Sequence, residues 1–322
     1  MISVLVYRDG AIHTAESVDP RWLAPEAPET VWVDLEKPGD PEAQLLREVF
    51  QIHELAVEDA LAETHHPKIE TYGPLLYLIL HAIQAGKRKE GFVTHDVDFF
   101  VGRNFLITVH QAPSRSIEAL SRICERHPLV MSEGPVSLLH RLVDRIVHHY
   151  GPEVDGLEAR VEKLETLVFA RSQKKNPLHE VIRLKADIAS LRRVTLPQRD
   201  AISRLARREF PQVSEVFTYR FRDVYDQLVR ISEQALFLQD RVTGLLDAYL
   251  SMQSNRLNQV MKVLTVIATI FMPLTVLTGM FGMNVPLLRF PGDDTAQFWW
   301  ITGIMLAIST VMLWVFRRLD WL

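Results

Sequence analysis

The sequence predicts an α/β cytoplasmic domain plus an α-helical two-span membrane domain, with one very long stalk helix continuing into the first transmembrane helix. Three observations predict this fold class. Two uncharged apolar runs, at residues 263–283 and 298–316, lie near the end of the chain, and the first is long enough to cross a bilayer core of about 30 Å. Strand-like segments dominate residues 1–110. Helical patterns dominate the residues between them and the first run.

The N-terminal region is predicted to form one mostly internal sheet with helices on its faces. Apolar patterns indicate strands at 2–6, 30–34, 68–72, 75–80, 96–101 and 105–110, and the last two flank a hairpin turn at 102–104. Helices are predicted at 41–50, with Asp40 as the N-cap, and at 53–61. Residues 1–115 are therefore assigned to the cytoplasmic α/β domain.

From about residue 116 the pattern is helical. Helices are predicted at 116–126, at 136–169 with a light break near Gly151 and Pro152, and at 178–208, where Pro197 must kink or interrupt the helix. The last helix is predicted to run from about residue 213 to 282, a length of about 100 Å. Such a helix needs partners along its whole flank, so we expect a bundle or ring of identical subunits. Residues 116–255 are assigned to the cytoplasmic helical domain and stalk.

Residues 256–322 are assigned to a transmembrane hairpin, with spans at about 260–283 and 298–316 and a short external loop at 285–297. Arg317 and Arg318 follow the second span, whereas the loop holds one arginine and two aspartates. By the positive-inside rule, both termini are expected in the cytoplasm. The chain is expected to lie in the cytoplasmic (inner) membrane, with the lipid bilayer as its partner.

The first span carries a stripe of small, polar or thioether-bearing residues on one helical face. Steps of three and four residues connect its members, which are Asn258, Met261, Thr265, Ala268, Met272, Thr275 and Gly279. Ordinary helix–helix packing explains such a stripe, and so does the lining of a pore in a ring of identical helices. The stripe alone does not decide between them.

Composition excludes several other classes. The net charge of −4 does not support a nucleic-acid partner. The single cysteine, Cys124, excludes an intramolecular disulfide framework and a cysteine-rich zinc site. The histidine pairs at 65–66 and 148–149 point apart in regular structure, so surface histidines are expected rather than a zinc site. Because no set of residues in a catalytic arrangement is recognised in the sequence, the chain is not expected to be an enzyme, and no cofactor is expected.

The end of the first span resembles a known family. Two glycines break the helix before Asn284, whose carbonyl oxygen can hold a hydrated hard cation without the charge of a carboxylate. Gly282-Met283-Asn284, preceded by Phe281 and by Met-Pro-Leu-Thr at 272–275, resembles the signature of the CorA superfamily of divalent-cation channels and transporters. The similarity extends through residues 247–251, 254–258 and 260–264 and covers most of the chain.

The resemblance implies a homopentamer whose central pore transports divalent metal cations, with Mg²⁺ favoured and Zn²⁺ nearly equal. Gly282, Met283 and Asn284 would then form the outer selectivity filter. The remaining pore-lining residues would be polar rungs or hydrophobic constrictions that gate by dewetting: Asn258, Thr275 and Gly279 as rungs, and Met261, Leu264 and Met272 as constrictions.

A regulatory metal site is also implied by the resemblance. Glu58-Asp59, followed by Pro-Lys-Ile-Glu at 67–70, and the segment around Asp223 match family motifs. An acid of the first motif and Asp223 of a neighbouring subunit would share a divalent ion. Because such an ion binds the closed arrangement better, it would bias the ring shut.

The external loop departs from the family pattern. Magnesium-type members typically follow Gly-Met-Asn with an aromatic residue and then Met-Pro-Glu-Leu, whereas this chain has Val285 and no glutamate. The loop is nearer to the ZntB branch, which handles zinc, although that branch often has isoleucine at the position of Met283. Asp293 and Asp294 either supply the missing negative field or form a solvated turn. The alternative function is a pore-inactive membrane sensor or scaffold derived from a channel.

Overall fold

The computed structural model describes residues 1–24, 26–62, 66–84, 93–170, 177–283, 290, 293–319 and 321. The chain divides into two compact units, Met1–Leu245 and Leu246–Leu322.

A seven-stranded sheet organises the first unit, in the order β2-β1-β3-β7-β6-β5-β4. β3 and β7 pair in parallel, and all other neighbours are antiparallel. The strands are β1 (Ile2–Arg8), β2 (Ala11–Ala15), β3 (Thr30–Glu36), β4 (Lys68–Tyr72), β5 (Leu75–Ile83), β6 (Thr94–Val101) and β7 (Phe105–His110). All six predicted strands are present, and β2 is an addition that the sequence reading missed.

The predicted hairpin between β6 and β7 forms at Gly102. Its amide nitrogen donates to the Phe105 carbonyl oxygen at 2.9 Å. A β-carbon at Gly102 would lie 2.3 Å from the Phe105 ring, so the close approach of that ring requires glycine.

Two short helices cover one face of the sheet. α1 (Asp40–Gln44) continues into a π-helical turn (Leu45–Val49), and α2 (Glu54–Leu61) follows. Leu46, Ala56 and Val57 are fully buried in one hydrophobic cluster with residues of the strands, among them Val33 and Phe100. Burial of this apolar surface is the main term that stabilises the layer.

The remaining helices of the first unit lie after the sheet in the chain. They are α3 (Arg115–Arg126), α4 (Leu129–Ser132), α5 (Pro135–His148), α6 (Tyr150–Phe169), α7 (Leu178–Ala206) and the first part of α8 (Glu215–Phe281). α5 packs against β5, β6 and β7. The break that was predicted near Gly151 occurs just before it, between α5 and α6.

Pro197 is predicted from the sequence to kink or interrupt α7. The helix continues through this proline, so the predicted interruption is wrong. Proline removes the bond to the carbonyl of Arg193, four residues back. Arg193 is exposed, so water can satisfy that carbonyl. The next residue, Gln198, anchors the helix to β5, because its side chain accepts from the His81 amide at 3.1 Å and donates to Tyr150 Oη at 3.0 Å.

Ion pairs tie the long helices of the first unit together. Arg160 of α6 binds Asp187 of α7 at 2.5 Å and Glu180 at 3.0 Å. Arg241 of α8 donates two hydrogen bonds to Glu165 of α6, at 3.0 and 2.9 Å. These paired, partly buried guanidinium–carboxylate contacts fix the relative register of the three helices.

The second unit contains the rest of α8 and helix α9 (Asp294–Arg318). Both helices are long and apolar enough, by length and composition, to cross a membrane. α8 is a single helix of 67 residues, in agreement with the predicted helix from about residue 213 to 282.

Candidate functional site

The candidate pore-lining residues all lie on α8 and are all exposed in the single chain. Among them, Met261 is 58% exposed, Leu264 57% and Met272 73%. Asn258, Thr275 and Gly279 are exposed as well. We refer to these six residues, together with Thr265 and Ala268, as the polar stripe.

The opposite side of α8 is the one that this chain covers. Val266 is buried there, and the half-buried residues recur at helical spacing: Ile270, Pro273, Leu274, Leu277 and Phe281. α9 also has a half-buried face, which includes Ile301, Ile304, Ile308 and Met312, and we infer that these two faces pack together. At about 100° per residue, the covered face and the polar stripe lie about half a turn apart. The polar stripe is therefore left open to solvent, lipid or another copy.

Threonines of the first span bond back to their own helix. Thr265 Oγ1 donates to the Met261 carbonyl at 2.8 Å, and Thr275 Oγ1 donates to the Phe271 carbonyl at 2.9 Å. Thr269 and Thr278 make similar contacts. Such back-bonding lets a hydroxyl sit in an apolar span without an unsatisfied donor.

The helix ends where the filter motif begins. The Gly282 amide donates to the Thr278 carbonyl at 2.9 Å, and the Met283 amide donates to the Met280 carbonyl at 3.3 Å. A β-carbon at Gly282 would lie 3.0 Å from the Thr278 oxygen, so glycine fits this last turn best. Met283 is 59% exposed. Asn284, the third member of the predicted filter, lies outside the described residues.

Only part of the predicted external loop is described. Asp293 is the N-cap of α9, because its Oδ1 accepts a hydrogen bond from the Ala296 amide at 3.1 Å. Asp294 is the first residue of the helix. Phe290 stacks on Trp300 at a ring-centroid distance of 6.0 Å and approaches Phe281 at 6.4 Å. These aromatic contacts connect the end of α8 with the start of α9.

The predicted regulatory acids have different environments. Asp59 on α2 forms an ion pair with Lys68 at 2.6 Å, and Lys68 also binds Glu70 at 3.0 Å. Burial acts to lower the pKa of Lys68, but its hydrogen bonds to Asp59 and Glu70 outweigh it and raise the pKa above its ordinary value. Lys68 is therefore charged at neutral pH. Glu58 and Asp223 are exposed.

Within the part of the chain that the structure describes, no three His, Cys, Asp or Glu side chains come together to hold a metal. The predicted regulatory site, shared between an acid of α2 and Asp223 of a neighbouring subunit, stays a prediction. Since the Asp59 carboxylate is held by Lys68, Glu58 is the acid of the pair that can bind an ion without breaking this contact.

The expectation that the histidines lie on the surface is wrong for His81 and His110, which are 8% and 4% exposed. Each has a carboxylate partner: His81 Nδ1 lies 3.3 Å from Asp96, and His110 Nε2 lies 3.1 Å from Asp34. Burial acts to lower the pKa of His110, but the hydrogen bond to Asp34 outweighs it and raises the pKa. These pairs connect neighbouring strands, so they belong to the sheet.

Asp98 is a buried acid that the sequence reading did not single out. It is 5% exposed on β6 and accepts a hydrogen bond from Tyr77 Oη at 2.5 Å. Burial raises the pKa of Asp98 to about 8, although the hydrogen bond from Tyr77 acts to lower it. An acidic residue inside the apolar run Val-Asp-Phe-Phe-Val is the sequence signal that identifies it.

The pKa of Asp98 predicts a pH-dependent stability. Its value of about 8 in the folded chain lies above the ordinary 3.8, so the folded state binds more protons between these values. The contribution to stability is full below the ordinary pKa and is lost as the pH rises towards 8. We expect Asp98→Asn, which keeps the shape and the acceptor for Tyr77, to reduce the fall in Tm of the purified protein between about pH 6 and 8.

The exposed Asp155 on α6 provides the matched control for this prediction. Asp155→Asn removes a carboxylate of the same kind and should leave the slope of Tm against pH unchanged. An unchanged slope in Asp98→Asn would contradict the assignment of the titration to Asp98.

A sheet-based unit followed by two C-terminal helices able to span a membrane defines the class of the protein, a membrane protein with a large soluble domain. A family model described as CorA-like Mg2+ transporter protein matches residues 28–318. The chain belongs to this family. Its members are transporters rather than enzymes.

Two relatives and one solved structure illustrate the range of the family. The cobalt/magnesium transport protein CorA of Thermotoga maritima is 30% identical over 283 residues, 87% of this chain and 79% of that protein. The zinc transport protein ZntB of Yersinia pseudotuberculosis is 26% identical over 315 residues, 96% of this chain and 92% of that protein. The complete structure of the CorA magnesium transporter from Methanocaldococcus jannaschii matches with a TM-score of 0.84 at 21% identity, covering 100% of this chain and 99% of that one. The predicted fold class is confirmed.

Proposed function

We propose that this protein transports divalent metal cations through a pore lined by the polar stripe of α8. The observation that carries the proposal is the position of the stripe opposite the partly buried face of α8. A helix that faced only lipid on that side would gain nothing from Asn258 or Thr275. The same residues suit a water-filled pathway, because they offer oxygen atoms to a hydrated ion.

A single stripe cannot enclose a pathway, so the proposal includes a ring of identical copies. α9 covers one side of α8, which leaves the stripe side for the ring axis. Homo-oligomers generally have closed rotational symmetry, and a pathway on the symmetry axis is surrounded by the same residues from each copy. The family resemblance favours five copies.

The transported ion is proposed to be Mg²⁺, with Zn²⁺ as the close alternative. An uncharged amide at Asn284 suits a cation that keeps its hydration shell, and Mg²⁺ gives up its water reluctantly. The names of the relatives include both cobalt/magnesium and zinc transport proteins. The carboxylate of Asp293 caps α9. This contact favours a structural role for Asp293 over a role as a free negative charge at the pore mouth.

The proposed orientation has both termini in the cytoplasm of a cell whose inner membrane holds the two spans. Cations and aromatic rings gather at one end of the hairpin, as at a membrane–water interface. The Arg318 guanidinium lies 5.4 Å from the Trp314 ring centre, and Lys262 Nζ lies 6.0 Å from that of Trp321. This end is the cytoplasmic one by the positive-inside rule.

Metal flux into proteoliposomes of the purified protein tests the proposal. Magnesium and zinc are compared, each with and without a pH gradient, and liposomes without protein provide the background. Magnesium flux driven by membrane potential alone is the expected result and identifies a channel. Zinc flux that follows the proton gradient would instead identify zinc as the transported ion. The absence of flux of either metal from an intact oligomer would favour the sensor or scaffold function.

The proposed regulatory site leads to a prediction at Asp223. A divalent ion shared between Asp223 and an α2 acid of the neighbouring subunit should hold the ring closed, and Asp223→Ala removes a ligand of that ion. We expect the variant to lose most of the inhibition of flux by metal on the cytoplasmic side. Flux is measured at increasing internal metal concentration.

Asp226 is the matched control, because it is also exposed and lies one turn further along α8. Asp226→Ala should keep the inhibition of the unmodified protein. If Asp223→Ala keeps it too, the assignment of Asp223 to a regulatory site is wrong.

A further inference from the structure

A groove of about 420 Å³ lies between α3, α5 and α8 in the first unit. Its apolar part is formed by Leu120 and Ile123 of α3. Charged side chains of α5 and α8 form the rest, together with His140 of α5. The volume is within the range of small-molecule sites, roughly 300–1,000 Å³.

Three arginines line this groove. Arg141 and Arg145 are four residues apart on α5 and therefore lie on the same face of that helix. Arg220 reaches the groove from α8. Asp144 is the acidic residue of the lining, so positive charge predominates.

The arginines are incompletely paired within the chain. Glu133 binds Arg220 at 3.0 Å and lies 3.7 Å from Arg141. Arg141 Nε is buried and has no hydrogen-bond partner among the described residues. Among the described residues, no carboxylate oxygen lies within 4.0 Å of a guanidinium nitrogen of Arg145. Arg145, which lines the groove, therefore has guanidinium donors available to an acceptor from outside the chain.

We propose that this groove binds a small organic phosphate of about the size of a nucleoside diphosphate. The planar guanidinium group matches two oxygens of a phosphate, and three such groups can contact adjacent phosphates. Leu120 and Ile123 would contact the organic part. The proposal is independent of the transport function, since no residue that carries it belongs to the polar stripe or to the acids of the proposed regulatory site.

His140 adds no positive charge to the groove. Its ring packs edge-on against Phe221 at a centroid distance of 5.3 Å. Burial lowers the pKa of His140, so the ring is neutral at pH 7. The positive charge of the groove therefore comes from its arginines.

Isothermal titration of the full-length protein in detergent tests the site. ADP, pyrophosphate and inorganic phosphate are titrated in the presence of EDTA, so that chelation of metal cannot produce the signal. We expect saturable binding of ADP, tighter than that of pyrophosphate because of the apolar contact. Arg145→Gln is expected to weaken ADP binding about tenfold or more, because it removes charge-assisted hydrogen bonds. This variant leaves both contacts of Glu133 in place.

Two further variants make the test specific. Arg122 of α3 is exposed and pairs with Glu118 at 3.5 Å, so Arg122→Gln makes the same chemical change outside the groove lining and should not alter affinity. Asp144→Asn removes the repelling carboxylate and should tighten binding severalfold. No saturable binding of ADP, equal affinities for ADP and pyrophosphate, or equal losses in Arg145→Gln and Arg122→Gln would overturn the proposal.

Discussion

Replacing Asn284 by alanine is expected to reduce selective metal flux at least about tenfold, to the background of protein-free liposomes. In the proposed pore, the Asn284 carbonyl oxygens of all copies form the outer ring that contacts the hydrated ion. Alanine removes these oxygens and leaves the backbone of Gly282 and Met283 in place. The change is measured as magnesium and zinc uptake by proteoliposomes at matched protein content.

Asn255→Ala is the matched control for this loss. Asn255 is an exposed asparagine of α8, and it lies outside the polar stripe. Its replacement should leave uptake close to that of the unmodified protein. Size-exclusion chromatography of both variants checks that the oligomer is intact. Metal-specific flux that persists in Asn284→Ala would rule out the filter assignment.

A cysteine at position 275 is expected to make the pathway sensitive to a charged thiol reagent. The chain has one native cysteine, Cys124, which is buried, so a new cysteine is the reactive group without further engineering. Thr275→Cys places a thiol on the polar stripe. Because a thiolate reacts in water and not in lipid, modification requires a water-filled path at this depth. We expect the reagent to reduce flux at least about tenfold, by obstruction of the pathway.

Met280→Cys provides the comparison. Met280 is 47% exposed and lies about 140° around α8 from Thr275 at 100° per residue. It lies outside the polar stripe, about 100° from the centre of the stripe, so the reagent should reduce flux much less than at position 275. Equal sensitivity of the two variants, or insensitivity of Thr275→Cys, would contradict a pore lined by the stripe.

The long helix and the two spans are predictable because their signals are local. Charge disappears over about 20 residues, a length set by the bilayer. Gly244 and Pro273 do not end α8, since an isolated glycine is tolerated and a proline in a span is accommodated by its surroundings. The ends of α8 accordingly fall within two residues of those predicted from the sequence.

The edge of the sheet was harder to predict. Among the described residues β2 pairs only with β1, and its five residues are exposed or half-buried, without a hydrophobic signal. The available signal is the pair Asp9-Gly10, whose φ angles of 53° and 81° form the turn of the β1–β2 hairpin. An Asp-Gly pair is a strong hairpin indicator even where the following strand is polar.

The pairings of the buried histidines depend on register. His81 meets Asp96 because β5 and β6 align these residues as cross-strand partners. His110 meets Asp34 through the parallel pairing of β3 and β7. Neither alignment is visible in one sequence. The polar stripe, by contrast, follows from helical periodicity, whereas the covering of the opposite face by α9 depends on how the two helices pack.

The back-bonded threonines have a consequence for the sign of the transported charge. Thr275 and Thr265 direct their hydroxyl hydrogens to backbone carbonyls, so each hydroxyl presents only lone pairs outward. Water bound to a cation turns its hydrogens away from the ion, whereas water bound to an anion turns its oxygen away. A wall of acceptors can therefore bond to the outer surface of a hydrated cation and not to that of a hydrated anion. These uncharged hydroxyl groups would thereby favour cations through the orientation of the water that the ion carries.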